Sequence, residues 1–420
     1  MAGFFFMKNW RDIVNKIFIA LTAITFIIPG FLSIDQMFPE FLYLSSLQVI
    51  ITIYNLTTKE IDYIDVFKNW SIKFFLIFII FSIGSIINAT NLQLSLIELT
   101  AFFTFFLTII NSFVLFQKTN NSTRFYVILI LSLLTVETSK VLLEVYKAYD
   151  FENPQIRSPY YAGFSSNVNV TSFSILFKLP ILLYALNKLN AIKRKMILIF
   201  SILCFMAISS IFVCYSRGGI LGLALILLIY GGYTIFFKRT YKKPILILII
   251  FFTAYLTNYS LFINGNSDIV ERATTLDLES KNSSVNYRLG YYLDAINGLL
   301  EKPFLGWGIG NWKIQSTIFS KDRSLEYQVA YHTHNDFLQV AAETGFFGGM
   351  SYLLIYMTLF YLLFKKVYEN KNFNGIYFYL LLSLIVFLID SSLNFPRARP
   401  TSIVNVSLLI AFTLSKLKMK

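Results

Sequence analysis

The sequence predicts an all-α, polytopic membrane protein. Of its 420 residues, 56% are hydrophobic and only 14% are charged, whereas soluble domains carry about 25% charged residues. Runs of about 20 mostly apolar residues recur along the chain, and a helix of that length crosses the hydrocarbon core of a bilayer. A membrane-spanning backbone must satisfy its own hydrogen bonds, so it forms helices or a closed barrel. Alternating ten-residue strand patterns are absent from the sequence, which favours helices.

Hydropathy predicts about twelve transmembrane helices, and twelve spans place both termini on one side of the membrane. The predicted spans are residues 13–32, 40–56, 70–88, 98–116, 124–144, 169–187, 196–216, 218–237, 244–263, 346–364, 374–394 and 401–415. We expect the first span to stay in the protein, because no small-residue cleavage site follows it. Residues 1–420 are predicted to form a single membrane domain, with a large polar loop at 265–345 within it.

The short loops that contain Lys and Arg indicate the orientation, since cytoplasmic loops are enriched in these residues. The loops on the predicted cytoplasmic side contain Lys8, Arg11, Lys59, Lys68, Lys118, Arg124, Lys188, Lys193, Arg194, Lys195, Lys238, Arg239, Lys242, Lys243, Lys365, Lys366, Lys371, Lys416, Lys418 and Lys420. Loops 33–39 and 89–97, on the opposite side, contain neither residue. The net charge of +13 is therefore mostly a topology signal, and we predict no nucleic-acid partner.

The cysteine and histidine content argues against disulfide and metal sites. Cys204 and Cys214 lie ten residues apart in one predicted span, too far for a disulfide within one helix. With two histidines in the chain and no Cys-His cluster, a structural zinc site is not expected. We predict no metal and no cofactor.

The polar loop 265–345 is predicted to contain two helices. Apolar residues recur at spacings of three and four from Asn286 to Glu301, as in an amphipathic helix on the membrane surface. This helix should stop at Lys302-Pro303, before a turn-rich stretch with alternating Gly306, Gly308 and Gly310. A second helix should begin near Thr333 to Asn335 and cap at Gly345.

Arg217 is the clearest charged residue at the edge of the predicted bilayer. It lies in Tyr215-Ser216-Arg217-Gly218-Gly219, at the outward junction of two spans joined by almost no loop. The two glycines would allow a sharp turn and the close approach of a ligand. Charged groups in such positions are usually functional or paired. The alternative is an interfacial arginine whose head reaches the headgroups.

Three more arginines, Arg288, Arg397 and Arg399, lie on the same predicted outer side, although the topology rule disfavours cations there. Several guanidinium groups on one face suit a diphosphate, which they bind through paired hydrogen bonds. Alternatively, Arg397 pairs with Asp390 and holds the end of the eleventh span.

His334 could act as a general base, because a neutral imidazole facing the outer aqueous phase accepts a proton at physiological pH. His332, two residues earlier, would point elsewhere and is interpreted as a helix-start or loop residue. A histidine in a loop can also be merely solvated.

Lys140 and Lys178 lie in or near apolar spans, with Glu137 and Glu144 on the fifth span within reach. These lysines either line an entrance for a lipid diphosphate or pair with the two acids, Lys140 at helical spacing. We favour pairing.

In combination, these motifs resemble the O-antigen ligase and O-antigen polymerase superfamily. The matching elements are His334-Asn335 with Gly345 and Gly348, Arg288 in Asn-Tyr-Arg-Leu-Gly-Tyr-Tyr, Ser216-Arg217-Gly218-Gly219, and the connector Lys302 to Asn311. The resemblance is confined to about residues 205–350, with weaker echoes at Asn167-x-Asn169 and Asn394-Phe395-Pro396. In this chain Asp336 follows His334-Asn335, and the sequence leaves open whether it orients the base or caps the helix.

The resemblance implies a GT-C-like, metal-independent, inverting glycosyltransferase of the bacterial inner membrane that acts at the periplasmic face in lipopolysaccharide biosynthesis. Its donor would be an undecaprenyl-diphosphate-linked glycan. His334 would deprotonate the attacking sugar hydroxyl, while Arg217 and Arg288 stabilise the leaving diphosphate. No Asp-x-Asp motif is present to hold a divalent cation. The predicted substrate-binding residues are Asn335, Asn167, Asn169, Arg397, Arg399 and Lys178.

Three functions remain open at this point. With lipid A core as acceptor the protein would be an O-antigen ligase, which we favour because the motif set is compact and one outer loop dominates. With another lipid-linked repeat as acceptor it would be a polysaccharide polymerase. A transporter for lipid-linked sugars is the third possibility, although transporters commonly show internal repeats and polar sites at the membrane midplane.

Overall fold

A computed structural model describes most of the chain. The described residues are 2–29, 33, 35, 37–58, 63–150, 155–156, 161–165, 167–189, 194–262, 284–319, 330–369 and 375–417. Residues 265–283 and 320–329 of the predicted polar loop lie outside this set.

The described part of the chain is almost entirely helical. Its helices are α1 Ala2–Ala23, α2 Phe38–Thr57, α3 Tyr63–Phe67, α4 Trp70–Ser85, α5 Leu92–Lys118, α6 Ser122–Ala148, α7 Val168–Lys188, α8 Arg194–Val213, α9 Arg217–Gly232, α10 Lys242–Phe262, α11 Ser284–Glu301, α12 Trp312–Phe319, α13 Asp336–Glu369, α14 Tyr377–Leu393 and α15 Pro400–Lys416. Two-residue strands β1 (Tyr149–Asp150) and β2 (Gln155–Ile156) form one antiparallel pair.

The all-α prediction is confirmed, and each predicted span overlaps one helix. Eight helices of the described part are long and apolar enough to cross a membrane: α4 to α10, and α13. Helices α14 and α15 are apolar but shorter, and α1 and α2 are in neither group. The number of twelve spans therefore stays a prediction.

The chain divides into two compact units. The first unit contains Met1–Asn120, Asp277–Leu362 and Asp390–Lys420, and the second contains Asn121–Leu276 and Leu363–Ile389. The single membrane domain predicted for residues 1–420 stays a prediction.

In the first unit, α5 is the central helix and packs along α15. Phe116 of α5 meets Phe412 of α15 edge-on, with ring centroids 5.4 Å apart. A buried amide pair joins α5 to α2, because Asn111 Nδ2 donates to the carbonyl and to Oε1 of Gln48, at 3.0 and 3.1 Å. Polar side chains on apolar helices are satisfied in this way across helix interfaces.

In the second unit, α7 packs between α6 and α8 and also meets α9. A Cβ built on Gly219 of α9 would lie 1.8 Å from Ser172 Oγ, and one on Gly222 would lie 2.8 Å from Leu176 Cδ2. Small residues let two apolar helices approach closely. These glycines therefore allow α9 to pack against α7.

Within each unit, segments predicted to share a side of the membrane lie together. In the first unit, the Asn91 backbone amide donates to Asn311 Oδ1 at 2.7 Å, which joins loop 89–97 to the polar loop. In the second unit, Lys243 Nζ donates to the carbonyls of Leu186 and Leu189, at 2.6 and 2.9 Å. Which end faces the periplasm stays a prediction.

Candidate active site

The two helices predicted within the polar loop are present. The amphipathic helix is α11, which ends at Glu301 as expected. Asn335 caps α13, because its Oδ1 accepts from the Leu338 backbone at 3.1 Å. The helical run from Asp336 breaks at Gly345, whose φ is +79°.

The connector between α11 and α12 is bonded to α13 through backbone groups. Gly306 has a φ of +62°, and a Cβ there would lie 2.4 Å from the carbonyl carbon of Glu343. The amides of Trp307 and Gly308 donate to the carbonyls of Ala342 and Glu343, at 3.0 and 2.9 Å. Positive φ and close backbone contact both require glycine. The predicted tight backbone is confirmed, and it fixes the position of α13 and of the loop before it.

His334 is held in an uncommon backbone conformation directly before α13. Its φ is +58°, in the left-handed region that non-glycine residues rarely adopt and that is often found at functional sites. The Tyr292 hydroxyl lies 3.1 Å from both the His334 and the Ser392 carbonyls. The imidazole stacks against Tyr291, with centroids 6.4 Å apart, and meets the edge of Phe395 at 5.2 Å.

Arg288 acts electrostatically on His334. Burial, and then the charge of Arg288, lower the pKa of His334 to about 4. The imidazole is therefore neutral at pH 7 and can accept a proton. It is partly buried rather than facing open water, and its Nδ1 makes no hydrogen bond to the described residues.

His332 is a loop residue before α13, as predicted, but its ring shares a contact with His334 that the sequence did not indicate. His332 stacks on Phe395 with centroids 4.3 Å apart, so both histidines contact the same phenyl ring. It also lines a cavity of about 890 Å³ in the first unit. Burial, followed by the charges of Arg397 and Arg399, lowers the pKa of His332 to about 3.

The suggested pairing of Arg397 with Asp390 is also wrong. Arg397 is 4% exposed and pairs with Glu98, with Asp336 at 3.4 Å and with Glu343 at 3.5 Å. Burial alone would lower the pKa of Arg397, but the three carboxylates raise it above its ordinary value.

Asp336 and Asp390 therefore have other partners than expected. Asp336 accepts from the Arg397 backbone amide at 3.0 Å, so it anchors Arg397 rather than orienting His334 or capping α13. Asp390 accepts from Asn394 Nδ2 at 2.8 Å, which holds the end of α14 without an arginine.

Arg399 lines the same cavity as His332. Its guanidinium carbon lies 5.1 Å from the centre of the Phe395 ring, and its buried Nε makes no hydrogen bond to the described residues. Burial lowers the pKa of Arg399, while Glu40 and Asp35 raise it. Its role in substrate binding stays a prediction.

Arg217 and the two asparagines of Asn167-x-Asn169 lie in the second unit. Asn167 Oδ1 caps α7, accepting from the amide of Asn169 at 3.0 Å. Ser216 caps α9 and donates to Asn169 Oδ1 at 2.6 Å. Thus Asn169 and Ser216 join the two motifs, with Arg217 as the first residue of α9. The turn prediction was wrong in one respect, because the left-handed residue is Tyr215, with φ +56°, rather than a glycine.

The favoured pairing of the two lysines is confirmed. Lys178 Nζ lies 2.9 Å from Glu137 Oε1, with the Lys178 side chain 1% exposed, and Lys140 Nζ lies 3.1 Å from Glu144 Oε1. Lys178 is enclosed in the helix packing of its own unit, so the geometry gives no support to a contact with substrate.

Cys204 and Cys214 are both buried and free. Within the described ranges, no group of three or more His, Cys, Asp or Glu side chains is placed to hold a metal ion.

Sequence reasoning missed Glu98 and Glu343, the partners of Arg397. A signal was present, since a charged residue at the edge of an apolar span usually has a partner or a function. Glu98 is the first residue of a predicted span, and Glu343 lies in the second loop helix. Their shared partner could not be identified, because it lies 299 residues from Glu98 and 54 from Glu343.

The fold is that of an all-α, multi-pass membrane protein, and its first unit contains a candidate site of histidine and arginine side chains. The family model described as O-antigen ligase matches residues 180–353, about two fifths of the chain. This match confirms the predicted resemblance to the O-antigen ligase superfamily over that part of the chain. Arg217, Arg288, His334 and Asn335 fall inside the matched region. No curated protein matches the chain significantly.

Proposed function

We propose that this protein is an O-antigen ligase: an inverting glycosyltransferase that moves a glycan from undecaprenyl diphosphate to lipid A core. The family supports a function of the ligase or polymerase type in general. The observation that carries the finer proposal is a neutral His334 within the electrostatic influence of Arg288. Both residues belong to the polar segment that is predicted to face the periplasm of the inner membrane. A base beside a fixed cation is what transfer from a diphosphate requires.

In the proposed reaction, His334 removes the proton of an acceptor sugar hydroxyl. The hydroxyl oxygen attacks the anomeric carbon of the donor glycan from the face opposite the diphosphate. The new carbon–oxygen bond forms as the bond to the diphosphate breaks, which inverts the configuration. The diphosphate leaves with the bonding electron pair, and Arg288 stabilises its charge. His334 then passes its proton to water.

The electrostatics of the site explain how a histidine with a low pKa can serve as the base. In the free protein the charge of Arg288 contributes to the low pKa of His334. A bound diphosphate would neutralise that charge, because guanidinium pairs with phosphate oxygens. The part of the lowering that comes from Arg288 would then be lost when the donor is in place, so the pKa of His334 would rise, while the larger effect of burial would remain.

The acceptor separates the proposal from its two alternatives. A polymerase would extend lipid-linked repeats, and a transporter would form no glycosidic bond. The motif residues are predicted to gather at one surface of the membrane, which favours group transfer, since transporters commonly bind at the membrane midplane.

The test is transfer by purified protein in lipid vesicles that contain a lipid-linked glycan donor. One arm adds lipid A core, a second adds only lipid-linked repeats, and each is repeated with a chelator. We expect a single ligated product with lipid A core and continued activity with the chelator. A series of glycan products of increasing length in the arm with lipid-linked repeats alone would favour the polymerase. The absence of product in all arms would favour a transporter. His334→Ala and Arg288→Ala should abolish transfer, whereas the exposed Asn297→Ala on α11 serves as the matched control.

A further inference from the structure

The cavity in the first unit has an apolar wall and a charged floor. The wall is built by one face of α2, through Phe38, Phe41 and Leu42, and one face of α5, through Ile97, Ala101 and Thr104. Spacings of three and four residues keep these positions on a single side of each helix. From Ile97 to Thr104 the wall extends about 10 Å along α5. It is long enough to hold several methylene groups of a lipid chain.

The charged floor has no surplus of positive charge. The cavity is lined by three acids, Asp35, Glu98 and Glu343, and by three bases, Lys313, Arg397 and Arg399. In addition, Arg397 pairs with Asp336 at 3.4 Å, behind this lining. A diphosphate placed there would meet carboxylates that repel it. Carboxylate and amide oxygens are instead good acceptors for hydroxyl groups.

Glu98 is a carboxylate that a ligand can reach and that an ion pair holds in place. Its side chain is 24% exposed, whereas that of Glu343 is 1% exposed. Arg397 holds Glu98 in position through a direct ion pair. A fixed, partly exposed carboxylate at the end of an apolar wall suits a molecule with a hydroxylated head and a lipid chain.

We infer that this cavity binds the acceptor, a lipid-anchored saccharide, with a sugar hydroxyl on Glu98 and the lipid chain against α2 and α5. The inference rests on the proposed glycosyl transfer and names where one of its substrates lies. It separates the acceptor from the anionic donor group, which belongs with Arg288 and His334.

The position of Phe395 connects the cavity to the base. His332, which lines the cavity, stacks on this ring at 4.3 Å, and His334 meets the same ring at 5.2 Å. Neither Phe395 nor His334 lines the cavity, so the Phe395 ring lies between a sugar at the His332 end and the base. The reacting hydroxyl would therefore belong to a more distant sugar of the acceptor glycan, which extends past Phe395 while the lipid chain stays against the wall.

The experiment is photolabelling of the reconstituted full-length protein with a dodecyl glucoside that carries a diazirine at the end of its chain. We expect labelled peptides from α2 and α5, and competition by dodecyl glucoside about tenfold stronger than by dodecyl phosphate. Ala101→Trp fills the wall and should remove the labelling, and Thr100→Trp on the same lining face is a second blocking variant. Leu92→Trp, exposed on α5 outside the cavity lining, is the matched control.

Labelling that persists in both blocking variants, falls outside α2 and α5, or is competed equally by dodecyl phosphate would overturn the inference.

Glu98→Gln should raise the KM for the acceptor about tenfold without changing the KM for the donor. A rise confined to the KM for the donor would contradict the assignment of the acceptor to this cavity. His334→Ala should lose transfer but keep the labelling. Correct labelling in a wild-type protein that transfers no glycan would reject the proposed function and leave the cavity assignment intact.

Discussion

The two units use buried charge in different ways. In the second unit Lys178 has one acidic partner, Glu137, and the pair is enclosed between helices. In the first unit Arg397 has three acidic partners around an open cavity. A one-to-one pair satisfies itself and joins helices, whereas a cluster with surplus carboxylates leaves acceptor oxygens for a ligand. A structural ion pair and a candidate site therefore differ in the number of carboxylates per cation and in the exposure of those carboxylates. The presence of buried charge alone does not distinguish them.

The largest expected effect is on the rate of glycan transfer, which should depend on His334 and not on the Lys178–Glu137 ion pair. His334→Ala should lower the rate of glycan transfer by about 10²–10⁴-fold, the contribution of a general base. The double variant Lys178→Met with Glu137→Gln should keep a rate near wild type, because it removes both charges of the enclosed pair together. Both rates are measured in reconstituted vesicles. If the double variant were as inactive as His334→Ala, the Lys178–Glu137 pair would be essential for transfer, and the contrast between the units would be contradicted.

The next effect concerns stability. Arg397→Met would leave three carboxylates without their cation and should destabilise the protein by about 3–5 kcal/mol. Lys178→Met should cost a similar amount, because it leaves Glu137 buried and unpaired. Adding Glu137→Gln should restore most of the stability lost in Lys178→Met. For Arg397→Met, a single added Glu98→Gln should restore little.

Thermal unfolding in detergent measures these four variants. Full recovery of Arg397→Met by Glu98→Gln alone would show that the cluster is a simple pair, and the contrast between the units would fail.

A smaller effect is expected from the connector glycines. Gly306→Ala introduces a Cβ 2.4 Å from the backbone of α13 at a φ of +62°, so it should lower the unfolding temperature and the transfer rate together. Gly231→Ala in α9, where a Cβ meets nothing within 4 Å, should be neutral or stabilise by up to about 1 kcal/mol. Equal unfolding temperatures for the two variants would contradict the role given to the connector.

The smallest effect is a dependence of stability on pH. Both histidines have lowered pKa values, about 4 for His334 and about 3 for His332, against about 6.5 in the unfolded chain. The unfolded state therefore binds more protons below pH 6.5, and stability should fall as the pH decreases from about 6.5 to about 4. His332→Asn should flatten this fall in the unfolding temperature. An identical slope in the variant would show that His332 does not titrate as described.

The sequence predicted the helices, but neither the aromatic contacts of His334 nor the charge cluster. Hydropathy locates the spanning helices because the bilayer sets their length. The apolar spacing from Asn286 to Glu301 predicted α11 because it places apolar side chains on one face of a helix. Local patterns also predicted the break at Gly345. The partners of Arg397 come from two distant segments, α5 and α13, so no local pattern reveals them. The contact that His332 shares with His334 was not predicted, because it depends on Phe395, 63 residues away in the chain.

The most direct test of the central claim, that His334 is the base of a glycan transfer, is chemical rescue. The transfer rate of His334→Ala is measured in reconstituted vesicles as imidazole is added. We expect a rate that rises with the concentration of neutral imidazole and returns part of the lost activity. A His334→Ala protein that transfers glycan at the wild-type rate without imidazole would contradict the account.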